Sequence, residues 1–264
     1  MYDFNYHRPK SLADVAKTLA GKDEAKLVAG GMTLIPTLKQ RLARPSDLVD
    51  LGLVGELKGI KKDGNAVVIG AMTTHADVAA SAEVKKAIPA LAALADGIGD
   101  PQVRNRGTIG GSIANADPAA DYPAGVVALG ATIVTNKRKI AADDFFKGLF
   151  ETALQADEIV TAVSFPIPEK SGYAKFPNPA SRYAVVGVFV SKAGGAVRVA
   201  VTGAGPSVFR LKDAEAALGK SFSAAALDGL KVKADGLNAD IHASAEYRAH
   251  LVGVMAKRAV QAAG

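Results

Sequence analysis

Gly99-Asp-Pro-Gln-Val-Arg-Asn-Arg-Gly-Thr-Ile-Gly-Gly-Ser-Ile-Ala-Asn-Ala-Asp-Pro-Ala-Ala-Asp121 is the stretch on which the reading of this chain turns. It reads as too polar and Gly-rich for a core helix and too regular for a disordered linker. The paired glycines Gly110 and Gly111 follow a short apolar step, Thr108-Ile109. Such a pair lets the backbone reach positive φ and removes the Cβ atoms that would hold a ligand off. Consecutive free N–H groups in a turn of this kind form a concavity suited to phosphate. Thr108, Ser112 and Asn115 add side-chain donors, Arg104 and Arg106 add positive charge upstream, and Asp117 and Asp121 supply acceptors downstream. By itself the motif is equally compatible with a strand-to-helix turn whose glycines serve geometry alone.

A second element has the same grammar. Lys26-Leu-Val-Ala-Gly-Gly-Met-Thr-Leu34 reads as a buried strand, a Gly-Gly turn and a hydroxyl residue opening a helix. Anions favour helix starts because the first N–H groups lack partners. Two such turns are able to clasp the two phosphates of a dinucleotide from opposite sides.

Outward from these turns, the first third reads as a small β-α-β-α-β unit. It has strands at Phe4–His7, Ala25–Ala29 and Asp47–Leu51, and helices at Ser11–Ala20 and Thr33–Leu42. A hairpin follows around Asp63-Gly-Asn65, then helices at His75–Ala80 and Ala82–Asp96. Beyond the central stretch come a helix at Asp121–Leu129, strands at Ala131–Thr135 and Glu158–Phe165, and a domain boundary at Pro166 and Pro168. The remainder reads as an α+β unit. It has a strand at Gly172–Phe176, a hairpin around Ala193-Gly-Gly195 and short helices at Lys212–Leu218 and Ala224–Leu230. A final helix at Ala243–Ala262 carries the apolar stripe Tyr247, Leu251, Val254, Met255 and Arg258. His75 reads as a surface residue at a helix start.

Composition narrows the function. The 264 residues, 49% of them hydrophobic, suffice for a large core. No apolar run reaches the ~20 residues of a membrane span, and the start of the chain has no signal-peptide pattern. There is no Cys, so this chain offers no disulfide and no thiolate for zinc or an iron–sulfur cluster. The net charge of +6 is scattered apart from Lys137-Arg138-Lys139, Trp is absent and aromatics are 6%, which argues against nucleic acid. The His residues at 7, 75, 242 and 250 lack metal-motif spacing, and no P-loop, G-x-G-x-x-G or G-x-S-x-G is present.

Ala29-Gly30-Gly31 with Thr33-Leu34, Ile69-Gly70-Ala71 with Thr73-Thr74, Gln102-Val-Arg-Asn105, and Thr108-Ile-Gly-Gly111 occur here in this order and spacing. In this the chain resembles the FAD-binding medium subunit of molybdenum hydroxylases, from about Phe4 to the last helix. The type is that of carbon monoxide dehydrogenase, and xanthine dehydrogenase and aldehyde oxidase carry similar flavin domains. The resemblance implies an α+β fold with a two-part FAD-binding domain over 1–168 (subdomains about 1–56 and 57–168). A C-terminal flavoprotein domain over 169–264, with a small antiparallel sheet and helices, follows it.

The resemblance also implies that non-covalent FAD contacts Leu27, Val28, Ala29, Gly30, Gly31, Met32, Thr33 and Leu34, together with Thr108, Ile109, Gly110, Gly111, Ser112 and Asp121. Asn115 and Asp117 join these from the reading of the loop. By the same resemblance Ile98 lines the adenine or flavin side, Val160 offers a backbone contact, Lys175 sits near the flavin and Tyr183 lies against the isoalloxazine. Two departures stand out: Met32-Thr33 replaces a common His-Ser, and Ser112 replaces a common Asn. No catalytic residue and no metal ligand is expected.

The implied function is that of an oxidoreductase subunit that relays electrons. A large molybdenum-cofactor subunit and a small subunit with [2Fe-2S] clusters are its implied partners, in a dimer of heterotrimers. The implied acceptor is quinone, NAD or oxygen, and the implied location cytoplasmic or peripheral on the inner membrane face. The alternatives are a self-sufficient FAD-dependent oxidoreductase, disfavoured by the weak polar clustering of the last hundred residues, and an assembly subunit with a vestigial flavin site.

Overall fold

A computed structural model describes all 264 residues and organises them around three sheets. The first is parallel, in the order β1 (Asn5–His7), β3 (Asp47–Asp50), β2 (Lys26–Val28). Helices α1 (Leu12–Leu19) and α2 (Leu34–Lys39) complete this unit. Ser11 caps α1 by accepting from the Asp14 N–H. Of the three β2 residues only Val28 is buried, so the strand is less enclosed than its sequence suggested.

The second sheet is antiparallel, in the order β4 (Ile60–Asp63), β5 (Ala66–Gly70), β10 (Val160–Pro166), β6 (Thr132–Thr135), β7 (Lys139–Ala141). Its helices are α3 (His75–Ala80), α4 (Ala82–Ala87), α5 (Pro89–Asp96), α6 (Pro101–Arg104), α7 (Ile109–Asn115), α8 (Tyr122–Ala128) and the short α9 (Ala142–Phe145). The single helix expected over 82–96 is two, because Pro89 lacks the N–H and forces Ile88 out of helical geometry. A small hairpin, β8 (Phe146–Gly148) with β9 (Glu151–Thr152), follows.

The third sheet is antiparallel, in the order β11 (Lys170–Pro177), β12 (Ala184–Ala193), β13 (Ala196–Thr202), β14 (Phe209–Arg210). Helices α10 (Lys212–Lys220) and α11 (Ala245–Ala262) cover one face, and Ala224–Leu227 is a single 3₁₀ turn where a helix to Leu230 was expected. Phe189 and Ala200, in neighbouring strands, turn instead to the core of the second unit, beside Leu91, Leu94 and Val126. No helix is long and apolar enough to cross a membrane.

The buried face of α11 differs from the stripe read in its sequence. Leu251 and Met255 are buried, but Tyr247 is exposed, and Arg248, Val252, Ala256, Ala259 and Val260 are inside. A guanidinium is tolerated there because Arg248 donates to the Val185 and Gly203 carbonyls, at 2.6 and 3.0 Å, and to Asp240 at 2.6 Å.

Strand β11 runs so close to α11 that a Cβ on Gly172 would lie 2.0 Å from the Ala259 carbonyl oxygen, whereas one on Gly253, inside α11, would meet nothing within 4 Å. Gly172→Ala is therefore expected to destabilise the chain by about 1–3 kcal/mol. Gly253→Ala is expected to stabilise it by about 0.5–1 kcal/mol. Urea titrations of the two variants check both signs.

Candidate functional site

The two Gly-Gly elements meet. A Cβ on Gly30 would lie 1.9 Å from the Arg106 carbonyl oxygen, so only glycine permits this backbone-on-backbone seam. Gly31 has φ +72°, and the next residues turn into α2. Opposite, Gly111 faces Ala29, whose Cβ would be 3.5 Å from one built on the glycine. Ala29, Gly30, Met72 and Thr108 face both the main cleft and a second, polar depression lined by Arg8, Lys58 and Arg106, so the seam is a thin wall.

The two turns differ in what they leave free. Gly107–Ala116 is not an open loop but a capped helix. Thr108 is the N-cap of α7 and accepts from the Gly111 N–H at 3.1 Å. The Ile109 N–H donates to the Thr73 carbonyl at 3.1 Å and the Gly110 N–H to the Ala71 carbonyl at 2.9 Å. A Cβ on Gly110 would sit 2.5 Å from that of Ala71. The expected row of free N–H groups at Gly110-Gly111 is thus already used, Gly110 by the segment that leaves β5 and Gly111 by the Thr108 cap. The polar character of the stretch hid this helix, since its donors are satisfied by tertiary contacts. The first turn is the open one: the N–H groups of Gly30, Gly31, Met32, Thr33 and Leu34 have no hydrogen-bond partner in the chain.

A cleft of about 450 Å³ runs along the seam. Of the residues expected to contact FAD, all but Val28, Ile109 and Lys175 line it. Val28 and Ile109 are buried behind it. One end is apolar, where Leu51 and Ile159 belong to the first unit's core, Leu27 packs against that core, and Val160 and Leu154 also line the cleft. The other end gathers Ile98, Asp117, Asp121 and Tyr183, which the sequence scatters widely.

Lys175 stands behind this second end rather than in the lining. Its ammonium lies 2.9 Å from Asp121 and donates to the Gly97 and Arg182 carbonyls at 2.7 and 2.9 Å. Arg104 donates to the Ile98 and Gly99 carbonyls at 3.2 and 3.0 Å, and Arg182 reaches Gly99 at 3.3 Å. Burial raises the Asp121 carboxyl, and the Lys175 ammonium and the Tyr173 hydroxyl oppose that rise. Asp117 is also raised by burial, while its carboxylate accepts from the Ala119 N–H at 2.9 Å. The Tyr183 hydroxyl is raised by burial and by Asp117. Tyr183 remains 42% exposed, at the mouth.

His75 is not the surface residue its sequence suggested. It is 5% exposed, lines the cleft, donates its backbone N–H to the Gly107 carbonyl at 3.0 Å, and has its ring 5.3 Å from that of the buried Tyr122. Burial, with Arg104 nearby, pulls its imidazole down to about 4, so it is neutral at pH 7. Glu158 is another titratable lining residue that sequence reasoning passed over. Arg138 and Thr135 hold its carboxyl down to about 2. The Thr73-Thr74-His75 run was the available signal for His75; in the fold Thr74 bridges Thr108, the N-cap of α7.

The comparisons with known proteins agree with this geometry. Residues 2–168 match the family described as the FAD binding domain in molybdopterin dehydrogenase, and residues 172–263 match the CO dehydrogenase flavoprotein C-terminal domain. The chain belongs to the medium-subunit family of molybdenum hydroxylases. This medium subunit is 37% identical to the carbon monoxide dehydrogenase medium chain of Hydrogenophaga pseudoflava, over 98% of this chain and 96% of that one. It is 39% identical to the nicotine 6-hydroxylase medium subunit of Paenarthrobacter nicotinovorans, with the same coverage. A solved carbon monoxide dehydrogenase from H. pseudoflava, which lacks the Mo-pyranopterin moiety of its cofactor, superposes with a TM-score of 0.90 at 38% identity. That match covers 99% of this chain and 97% of the other. Quinoline 2-oxidoreductase of Pseudomonas putida 86 superposes at 0.89 and 32% identity, with the same coverage. The chain is a FAD-binding component of an oxidoreductase complex.

Two outcomes follow from the electrostatics. A His held neutral folds better where the unfolded chain is also neutral, so its contribution is complete above about pH 6.5 and declines as pH falls toward 4. The loss across that window is about 3 kcal/mol. Urea unfolding of the wild-type chain at pH 7 and pH 4.5 should show it, and His75→Gln should flatten the slope. Lys175→Met leaves the buried Asp121 carboxylate unpaired and is expected to cost about 3–5 kcal/mol. Lys175→Met with Asp121→Asn should recover part of that loss in the same assay.

Proposed function

We propose that this subunit binds FAD along the cleft, with the diphosphate on the open N–H row of Gly30–Leu34, and serves as the electron relay of its complex. The observation that carries the reading is that row of unpartnered backbone donors beside the Gly30–Arg106 seam. Five successive N–H groups with no internal partner suit a diphosphate, and the Thr33 and Ser112 hydroxyls flank them. The apolar end around Leu27, Leu51 and Ile159 suits an adenine. The end with Ile98, Asp117, Asp121 and Tyr183 sets apolar side chains beside hydrogen-bond acceptors, which suits a flavin ring with its N–H.

FAD, when bound, supplies exchange of one or two electrons between carriers. The residues of this chain bind, orient and shield. Asp121, locked by Lys175 and Tyr173, presents a fixed acceptor. Tyr183, half-exposed at the mouth, covers the ring end and controls access to it. Lys175, which the resemblance places near the flavin, acts through Asp121 and through the Arg182 carbonyl beside Tyr183.

The chain has no Cys to ligate an iron–sulfur cluster, so the clusters that feed it belong to a partner subunit in this reading, and a large molybdenum-cofactor subunit carries out the substrate chemistry. Related chains named medium subunits or medium chains, and the copper- and molybdenum-containing carbon monoxide dehydrogenase, support this assignment.

Purified with co-expressed large and small subunits, the chain should be yellow and release FAD on acid treatment, one molecule per chain. Gly30→Ala should lose the flavin, because its Cβ would pry Arg106 away. Protein that stays colourless after incubation with FAD and its partners would contradict the proposal.

A further inference from the structure

One polar side chain in the cleft wall has no use in the fold or in the cradle described above. His75 is 5% exposed; its Nδ1 is buried with no hydrogen-bond partner, and its Nε2 makes no hydrogen bond within the chain but is not sealed from the cleft. Nδ1 is sealed from solvent, and the ring lies 5.3 Å from that of Tyr122, whose own buried hydroxyl is also unpaired. Nε2 lies on the other side, against Gly107, where a Cβ would come within 2.5 Å of it. The missing side chain at Gly107 is what leaves the imidazole its place in the cleft lining.

We propose that His75 is a FAD-contacting residue, whose Nε2, held between Gly107 and Tyr122, forms a hydrogen bond to the bound cofactor. The proposal rests on the FAD reading of the cleft. A neutral imidazole carries one donor and one acceptor; Nδ1 is buried without a partner, whereas Nε2, unpaired but open to the cleft, is the nitrogen a ligand reaches. A residue needed only to fill space at this position would be served better by Phe or Leu. The backbone fixes the ring in place, since the His75 N–H donates to the Gly107 carbonyl while the neighbouring Thr74 bridges Thr108. No carboxylate hydrogen-bonds the ring, and its polar surroundings are Arg104 and the Tyr122 hydroxyl. Arg104 is itself committed to the Ile98 and Gly99 carbonyls at the same end of the cleft.

Three variants separate the two nitrogens. His75→Gln keeps an amide nitrogen at the reach of Nε2, His75→Asn keeps one at the reach of Nδ1, and His75→Phe keeps volume alone. FAD is titrated into the full chain, alone and with co-expressed partner subunits, and apoprotein melting temperatures serve as the fold control. His75→Gln should bind FAD within about threefold of wild type, and His75→Asn and His75→Phe should bind about tenfold or more weakly.

A measurement on the unaltered chain stands beside these. The ¹⁵N resonance of His75 Nε2 should move on adding FAD, and that of Nδ1 should move much less. FAD binding by His75→Phe equal to wild type would overturn the proposal. Should that variant fail to fold, an unmoved Nε2 resonance overturns it. A wild-type chain that takes up no FAD in either preparation contradicts the FAD reading itself. Equal binding by all variants contradicts only the role of His75.

Discussion

The structure depends on one close approach, that of the Gly30 backbone to the Arg106 carbonyl. Any side chain at Gly30 would overlap that carbonyl, so the parallel unit and the antiparallel unit touch there by backbone alone. The contact fixes the distance between a turn whose N–H groups are free and a helix start whose N–H groups are satisfied. It therefore sets the width of the cleft at its middle. The Ala71–His75 segment supports the second side, because its carbonyls take the first N–H groups of α7 and its Thr74 bridges Thr108.

The third sheet, which packs Phe189 and Ala200 into the second unit's core, is also tied to the same place by hydrogen bonds. Thr202 donates to the Pro118 and Ala120 carbonyls at 2.9 and 2.6 Å, and the Ala184 N–H to the Ala119 carbonyl at 3.1 Å. These bonds hold the loop that carries Asp117 and Asp121 against the start of β12, which follows Tyr183 directly. Lys175 closes the arrangement by joining Asp121, Gly97 and Arg182 through one ammonium. A buried charge with three oxygen partners has its desolvation largely offset, which is why the ring end of the cleft is well defined.

Much of this was legible in the sequence because local chemistry and fold agree. The Ser11 cap, the Asp63–Asn65 hairpin, the start of α3 at His75 and the Ala193–Gly195 hairpin are where turn residues and apolar runs put them. The parallel unit and both Gly-Gly elements were legible for the same reason. What failed rested on tertiary partners. The α7 helix was hidden because Gly110 is required by Ala71, not by a ligand, and because its donors are taken by residues distant in sequence. His75 gave no periodic sign of burial. The inner face of α11 was misread because three alanines and an arginine, held by the Val185 and Gly203 carbonyls, supply much of it. Lys175 pairs with a residue on another unit, which no spacing reveals.

The division of labour between the two turns is the central claim, and amide hydrogen exchange with and without FAD tests it most directly. The account predicts that amides from Gly30 to Leu34 exchange rapidly in the apoprotein and become protected when FAD binds. Ile109 and Gly110 should be protected in both states, since the Thr73 and Ala71 carbonyls already hold them. Protection appearing at Ile109 and Gly110 on FAD binding, with Gly30–Leu34 unchanged, would contradict it and return the diphosphate to the second turn.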